Sequence, residues 1–274
     1  MPELPEVETT RRGIEPWLAN QTLQAVMIRQ PSLRWPVDET AMQALVGRSV
    51  QSVQRRGKYI LVGFDSGTAI WHLGMSGSLR LVQQDEPVRL HDHIDWQLAN
   101  GMTLRYHDPR RFGALLWQPE GELLSQLASL GPEPLEPAAD SGLTADYLYQ
   151  RSRGKSQAIK TFIMDSAVVV GVGNIYANES LFMAGIRPTV AAGKISLARY
   201  ERLLDCIRDV LAKAVTQGGT TLRDFVNSDG KPGYFAQQLQ VYGRGGENCH
   251  QCGGILQEIR LGQRATVYCV RCQH

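Results

Sequence analysis

A proline in second position, followed by glutamates on the first helical turn, has chemistry available to it. The chain opens Met1-Pro2-Glu3-Leu4-Pro5-Glu6-Val7-Glu8. Aminopeptidases remove an initiator methionine when the next residue is small, and proline qualifies. The exposed Pro2 then carries a secondary amine whose pKa lies well below that of a lysine, so more of it is unprotonated at neutral pH. Attack of that amine on a sugar C1′ gives an iminium ion, cationic from the start and an electron sink for elimination. Glu3 or Glu6 could protonate the sugar ring oxygen. Taken alone, the same string reads equally as a helix start whose acidic residues the dipole favours.

Four of the five cysteines form a second constellation: Cys249-x-x-Cys252, sixteen residues, then Cys269-x-x-Cys272. Each knuckle sets two thiolates on one side of a tight turn, and two knuckles on a hairpin close a tetrahedral Zn²⁺ site. Four protein ligands leave no open position, so one structural zinc is expected and no catalytic metal. An odd cysteine count with this pairing suits a reducing compartment better than a disulfide framework. Zinc ribbons serve protein contacts as well as nucleic acids; Arg260, Arg264 and Arg271 within this one favour a phosphate partner. Arg264 lies near the second knuckle, where a hairpin tip could present it. Cys206 stands alone and reads as a helix-core thiol.

Three weaker signals accompany these. Gly171-Val172-Gly173-Asn174 opens a helix over residues 174–184, where backbone N–H groups, the dipole and the Asn174 amide suit an anion. Lys155 and Lys160 just before it add to that reading, although a glycine-rich entry is commonly close packing alone. His72-Leu73-Gly74-Met75-Ser76-Gly77 and Asp108-Pro109-Arg110-Arg111-Phe112-Gly113 each set a bulky or cationic side chain beside glycine in an expected loop. Apolar wedges plus one arginine are what a base-extruding protein needs, since something must fill the gap and meet the orphaned base. Two hairpin turns with an incidental Met and Phe are the plainer alternative. His91, His93 and Asp95 alternate along one expected strand and mimic a metal triad, but nothing else calls for a catalytic metal.

Elements must position these groups. Leu4, Val7, Ile14 and Leu18 recur at helical spacing and predict an amphipathic helix over residues 3–18. Short β-rich runs follow at 23–29, 58–64, 68–75, 78–82, 93–98, 103–107 and 114–117, implying an antiparallel sandwich or barrel. Gly131-Pro132-Glu133-Pro134 with Glu136-Pro137 reads as a linker. Beyond it, helices are expected over 143–151, 156–164 and 174–184. Ser196 should cap a long one with Leu197, Tyr200, Leu203, Leu204, Ile207, Leu211 and Val215 on one side, ending at Gly218-Gly219. The segment 228–233 is too irregular for a packed element.

Charge divides along the same line. Residues 1–150 hold 13 Lys/Arg and 18 Asp/Glu, net −5, and residues 151–274 hold 16 and 9, net +7. A basic half beside an acidic one suits an anionic polymer, though solvated faces can produce such an imbalance. The composition, 43% hydrophobic and 20% charged, is that of a globular protein. No apolar run is long enough for a bilayer and the amino terminus lacks a signal-peptide pattern, so a cytoplasmic location and no membrane partner are expected.

With these residues in place, the sequence resembles the bacterial formamidopyrimidine-DNA glycosylases, end to end. The likeness includes the first eight residues, Arg56-Gly57-Lys58-Tyr59, segments 72–77, 108–113, 170–176 and 228–237, and the zinc ribbon. It implies an α+β fold: an amino-terminal antiparallel β-sandwich with flanking helices (1–130), a helix-two-turns-helix domain (131–239) and a carboxy-terminal zinc ribbon (240–274). It implies a monomer that removes oxidised purines from double-stranded DNA and nicks the strand. Pro2 would be the Schiff-base nucleophile, Glu3 the proton donor, Lys58 an assistant to β-elimination and Arg264 to δ-elimination. Met75, Arg110 and Phe112 would enter the helix, with Arg110 facing the orphaned cytosine, while His72, His91, Lys155 and Asn174 would contact DNA. Residues 220–234 resemble the family's loop over the flipped base. The string Arg153-Gly154-Lys155-Ser156 is less uniformly basic than in some relatives. An endonuclease VIII-type enzyme shares the Pro2-Glu3 start, but those relatives differ at Leu4 and lack the Arg110/Phe112 pair. A non-catalytic zinc-ribbon DNA-binding protein would need no free Pro2.

Overall fold

In the computed structural model, residues 2–219 and 238–274 are described. Helix α1 (Leu4–Leu18) forms where expected, one residue shorter, because Glu3 is its cap. Its stripe of Leu4, Val7, Ile14 and Leu18 is buried, and Pro5 sits in the first turn, where a missing N–H costs nothing.

Eight strands build two four-stranded antiparallel sheets. The first has the order β1 (Leu23–Ile28), β6 (Asp92–Leu98), β7 (Met102–His107), β5 (Ser78–Gln83). The second has the order β2 (Ser52–Arg56), β3 (Tyr59–Phe64), β4 (Gly67–His72), β8 (Ala114–Pro119). They share one core with α1: Trp71 on β4 lies 5.3 Å, ring to ring, from Trp96 on β6 and 5.2 Å from Tyr106 on β7. The expected sandwich is therefore present.

Strand β2 is absent from the sequence reading. It lies at a sheet edge and buries only Val53, so its polar, arginine-bearing string carries no alternation to detect. The expected run 68–75 stops at His72, because Gly74 turns the chain with φ +64°. The short helices α2 (Glu39–Gln43), α3 (Ser125–Ala128) and α4 (Ala138–Ser141) have too few turns to show a period.

Residues up to Ala128, with the segment beginning at Gln217, form one compact unit; Ser129–Thr216 and the carboxy-terminal residues form the other. The second unit holds α5 (Ala145–Ser152), α6 (Ile159–Ile163), α7 (Asn174–Ala184) and α8 (Leu197–Thr216), with the hairpin β9 (Gln257–Leu261) and β10 (Arg264–Tyr268). Helix α6 is shorter than the expected 156–164, since Ala158 instead pairs with Ala191. Helix α7 is buried on every side, so it shows no amphipathic period. Along α8 the expected stripe is buried except Leu197, which is exposed, and Cys206 is only half-buried. Among the described residues no helix is long and apolar enough to cross a membrane.

Candidate active site and nucleic-acid interface

The amino terminus is clamped by its own helix. The Glu3 backbone N–H donates to Glu6 Oε2 at 2.9 Å, and the Glu3 side chain caps the Glu6 backbone in return. Both carboxylates are buried, and Pro2 is buried beside them. Fixing the Glu3 N–H fixes the Pro2–Glu3 peptide plane and with it the position of the Pro2 Cα. Gly219, with φ +80°, lies against Glu6. Met1 and the sequence segments 220–234 and 228–237 lie outside the described residues.

Glu8, one turn further on, ties this helix to the β2–β3 hairpin. It accepts from Arg11 and Arg12 on α1 and from Arg55 Nε on β2 at 3.1 Å. Burial works against the Glu8 charge, but hydrogen bonds from Arg11 and Arg12 and the charges of Arg11 and Arg55 hold its carboxyl below the ordinary value. Arg55 also donates to the Gly57 carbonyl at 3.0 Å. One arginine thus braces the helix that begins at the Pro2–Glu3 end against the turn that carries Lys58.

The two glycine-flanked loops meet on a single buried carboxylate. Asp108 accepts from Ser76 Oγ at 2.7 Å, Tyr106 OH at 2.9 Å and the Gly113 N–H at 2.9 Å. Burial, then the charge of Asp108, pushes the Tyr106 hydroxyl well above its ordinary pKa, so it remains a donor. The loops touch so closely that a Cβ on Gly74 would collide with the Phe112 carbonyl carbon and Gly113 N, and one on Gly113 with the Tyr106 hydroxyl. Held this way, Met75 and Phe112 are 36% and 47% exposed, unusual for large apolar side chains. The Arg110 guanidinium stacks 5.1 Å over the Phe112 ring.

His72 closes β4 with its ring 4.9 Å from Tyr59. Its Nδ1 accepts from the Gly74 N–H at 3.1 Å, which leaves Nε2 as the protonated nitrogen of a neutral ring. Burial, then the charges of Arg34 and Lys58, lowers its pKa to about 4, with Asp108 acting the other way. Arg34, His72, Gly74, Met75 and Phe112 line a cavity of about 400 Å³. Arg34 escapes a reading of the sequence, because a lone Arg-Trp-Pro string has no spacing signature.

His91 lies outside β6 in a turn with φ +72°, so it does not alternate with His93 and Asp95 on a strand face. Its carbonyl accepts from the Asp108 N–H at 3.1 Å, which attaches it to the Phe112 loop. Asp95 is committed to Arg29 at 2.6 Å and Arg105 at 2.9 Å, and His93 to the Asp108 carbonyl at 2.8 Å.

In the helical unit, Asn174 is the first residue of α7, and its Oδ1 is buried with no partner among the described residues. Lys155 is exposed on the loop after α5. Lys160 corrects the anion reading: it is 1% exposed and donates to the Ala265 carbonyl at 2.9 Å and to Thr266 Oγ1 at 2.6 Å on β10. Asn178 accepts from the Val267 N–H, and Glu179 accepts from the Gln240, Val241 and Tyr242 N–H groups. These buried polar groups seat the ribbon on α6 and α7. Arg264 follows the two-residue turn Gly262-Gln263, both at positive φ, and is exposed at the hairpin tip.

The four cysteine sulfurs lie within 4.8 Å of one another, with Cys249–Cys272 at 4.0 Å and Cys252–Cys269 at 3.5 Å. Zn–S bonds of about 2.3 Å in a tetrahedron require sulfurs about 3.8 Å apart, so this donor set fits one structural zinc. The knuckles are preset by backbone: Gly253 N–H donates to the Cys249 carbonyl at 2.9 Å, and Gln273 N–H to the Cys269 carbonyl at 3.0 Å.

A β-sandwich bearing the amino terminus and a helical unit ending in a four-thiolate ribbon define a class, the DNA glycosylases of helix-two-turns-helix type. Known proteins narrow it. The formamidopyrimidine-DNA glycosylase N-terminal domain matches residues 1–115, the H2TH domain of the same enzymes matches 130–226, and the zinc finger found in FPG and IleRS matches 246–274. The formamidopyrimidine-DNA glycosylase of Stutzerimonas stutzeri is 60% identical over 273 residues, covering 100% of both chains. That of Xanthomonas campestris is 56% identical over 274 residues, again covering 100% of both. Among solved structures, Lactococcus lactis Fpg with an abasic-site DNA superposes with TM-score 0.90 at 32% identity, covering 99% of each chain. The MutM (Fpg) protein of Thermus thermophilus gives 0.88 at 36%, covering 99% of this chain and 98% of that one. The chain belongs to the formamidopyrimidine-DNA glycosylase family, whose members are DNA glycosylases and abasic-site lyases of base-excision repair.

Proposed function

We propose that this chain excises formamidopyrimidines and 8-oxoguanine from duplex DNA and then nicks the strand by β,δ-elimination. The observation that carries the reading is the reciprocal Glu3–Glu6 cap, which holds both candidate acids beside the buried Pro2. Once Met1 is gone, the Pro2 nitrogen bonds to C1′ as the C1′–base bond breaks; that bond's electron pair leaves with the base, and the proton shed by the Pro2 nitrogen neutralises the base. Glu3 protonates the ring oxygen as the C1′–O4′ bond opens, leaving a Pro2 iminium. Loss of a C2′ proton sends electrons toward the iminium and expels the 3′ phosphate; a second elimination expels the 5′ phosphate. Lys58 assists the first elimination and Arg264 the second, roles taken from the family resemblance and supported by the placement of each on a braced turn.

Met75, Arg110 and Phe112 fill the gap left by the extruded base, with Arg110 facing its partner cytosine. His72, His91, Lys155 and Asn174 hold the backbone. A Lactococcus lactis relative is solved with an N7-benzyl-Fapy-dG-containing DNA, which supports this substrate class. The zinc holds the hairpin that carries Arg264. The enzyme works as a monomer in the bacterial cytoplasm, at the nucleoid where its substrate lies, and the division of the chain at 130 and 239 follows the three expected domains. Incubation with duplexes holding 8-oxoguanine or thymine glycol tests the substrate. Preferential excision of 8-oxoguanine opposite cytosine supports the reading; preference for thymine glycol overturns it in favour of an endonuclease VIII-type activity.

A further inference from the structure

Arg34 has no role in the scheme above, yet it sits at the insertion site. Its backbone N–H donates to the Gly113 carbonyl at 3.1 Å, which pins the loop after β1 to the loop that carries Phe112. Its guanidinium carbon lies 4.5 Å over the Trp35 ring, so the side chain is stacked and pre-ordered while remaining exposed. Together with His72, Gly74, Met75 and Phe112 it lines the cavity of about 400 Å³.

The charge balance there is incomplete. The Arg34 side chain makes no hydrogen bond or ion pair among the described residues. Asp108, the carboxylate of this loop pair, is occupied by Ser76, Tyr106 and the Gly113 N–H. Arg34 and Lys58 both disfavour the charged form of His72, with Asp108 acting the other way. An arginine resting over an aromatic ring has less side-chain freedom to lose when its N–H fork meets a phosphodiester.

We infer that Arg34 is a DNA-phosphate contact at the mouth of this cavity, gripping the backbone beside the step that Met75 and Phe112 enter. The inference rests on the DNA reading above and assigns that site an additional residue. Met75 and Phe112 supply apolar surface without charge, so a phosphate clamp beside them sets the register at which they insert.

The test measures affinity of the intact, zinc-loaded protein for a duplex holding a non-cleavable tetrahydrofuran abasic analogue, across a salt range of roughly 0.05–0.3 M. One lost phosphate contact lowers the slope of log K against log salt by about 0.9 and weakens binding about 5-fold near 0.15 M. Arg34→Gln should show both changes with unaltered melting temperature and zinc content. Arg34→Lys, which keeps the charge and loses the stacked fork, should keep the slope and bind more weakly than wild type. In Arg34→Gln the His72 ring should also titrate at higher pH, since one of the cations that lower it is gone. Equal slope and affinity in wild type and Arg34→Gln overturn the inference while leaving the glycosylase reading intact. Wild-type binding with no salt dependence overturns both.

Discussion

Ser76 Oγ donates to Asp108 Oδ1 at 2.7 Å across a gap of 32 residues, and this bond joins the two loops that present Met75 and Phe112. Asp108 has three donors aimed at it. In Asp108→Asn the amide oxygen can keep the Tyr106 hydroxyl and the Gly113 N–H only if its NH₂ faces Ser76 Oγ, which must then reverse from donor to acceptor, and every bond to a charged oxygen is lost. A hydrogen bond to a charged group is worth about 1.5–3 kcal/mol, and the buried site cannot recruit water easily. We expect Asp108→Asn to lose at least one such bond and to lower the melting temperature by several degrees, with slower excision. Ser76→Ala should cost about 1 kcal/mol. Calorimetry and excision rates check both; an Asp108→Asn protein with wild-type melting and excision would contradict this role.

His72 carries a pH prediction. Its folded pKa of about 4 lies below its ordinary 6.5. The unfolded chain therefore binds a proton that the folded ring refuses, and this contribution to stability is present above about pH 6.5 and lost as pH falls toward 4. Near neutral pH the ring stays uncharged, with Nε2–H as donor. An NMR titration should put the His72 midpoint well below those of exposed histidines. A midpoint near the ordinary value would show that the ring is charged in the folded protein at mildly acidic pH.

The ribbon depends on its metal. Its small core of Val241, Leu256, Val267 and the cysteines packs on Phe182, too little apolar surface to hold a hairpin by itself. One zinc per chain is expected by elemental analysis. Cys249→Ser or strong chelation should remove the metal and most duplex affinity, because Arg264 loses its scaffold. Retained affinity after complete zinc loss would be the contrary result.

Lys160 bears on the same hairpin from below. Lys160→Met leaves the Ala265 carbonyl and Thr266 Oγ1 without the ammonium, a loss of about 1.5–3 kcal/mol for each charged bond broken. The readout is product distribution: the δ-elimination product should fall relative to the β-product as Arg264 shifts. An unchanged ratio at full zinc content would argue that Arg264 takes no part in δ-elimination.

What is legible in the sequence follows from chemistry that leaves a local trace. The helix carrying Leu4, Val7, Ile14 and Leu18 and the two cysteine knuckles are set by spacing alone, and both stand where expected. Strand β2 leaves no trace, because an edge strand needs one inward residue, Val53. His91 reads as part of a strand face because alternation runs through it, whereas its φ of +72° turns the chain there. Lys160 reads as a surface cation because sequence cannot show that its partners lie 105 and 106 residues away. Arg34 and Asp108 gain their meaning only from loops brought together in space. The roles of Pro2 and Glu3 come from family resemblance, since the cap engages both glutamates alike.

The central claim is that the Pro2 nitrogen makes the covalent bond to the sugar. Borohydride reduction during turnover of an 8-oxoguanine duplex, followed by mass mapping of the trapped peptide, tests it directly. The predicted result is an adduct on an amino-terminal peptide beginning at Pro2, abolished in a protein that retains Met1. An adduct on a lysine, or one formed equally well with Met1 in place, would contradict it.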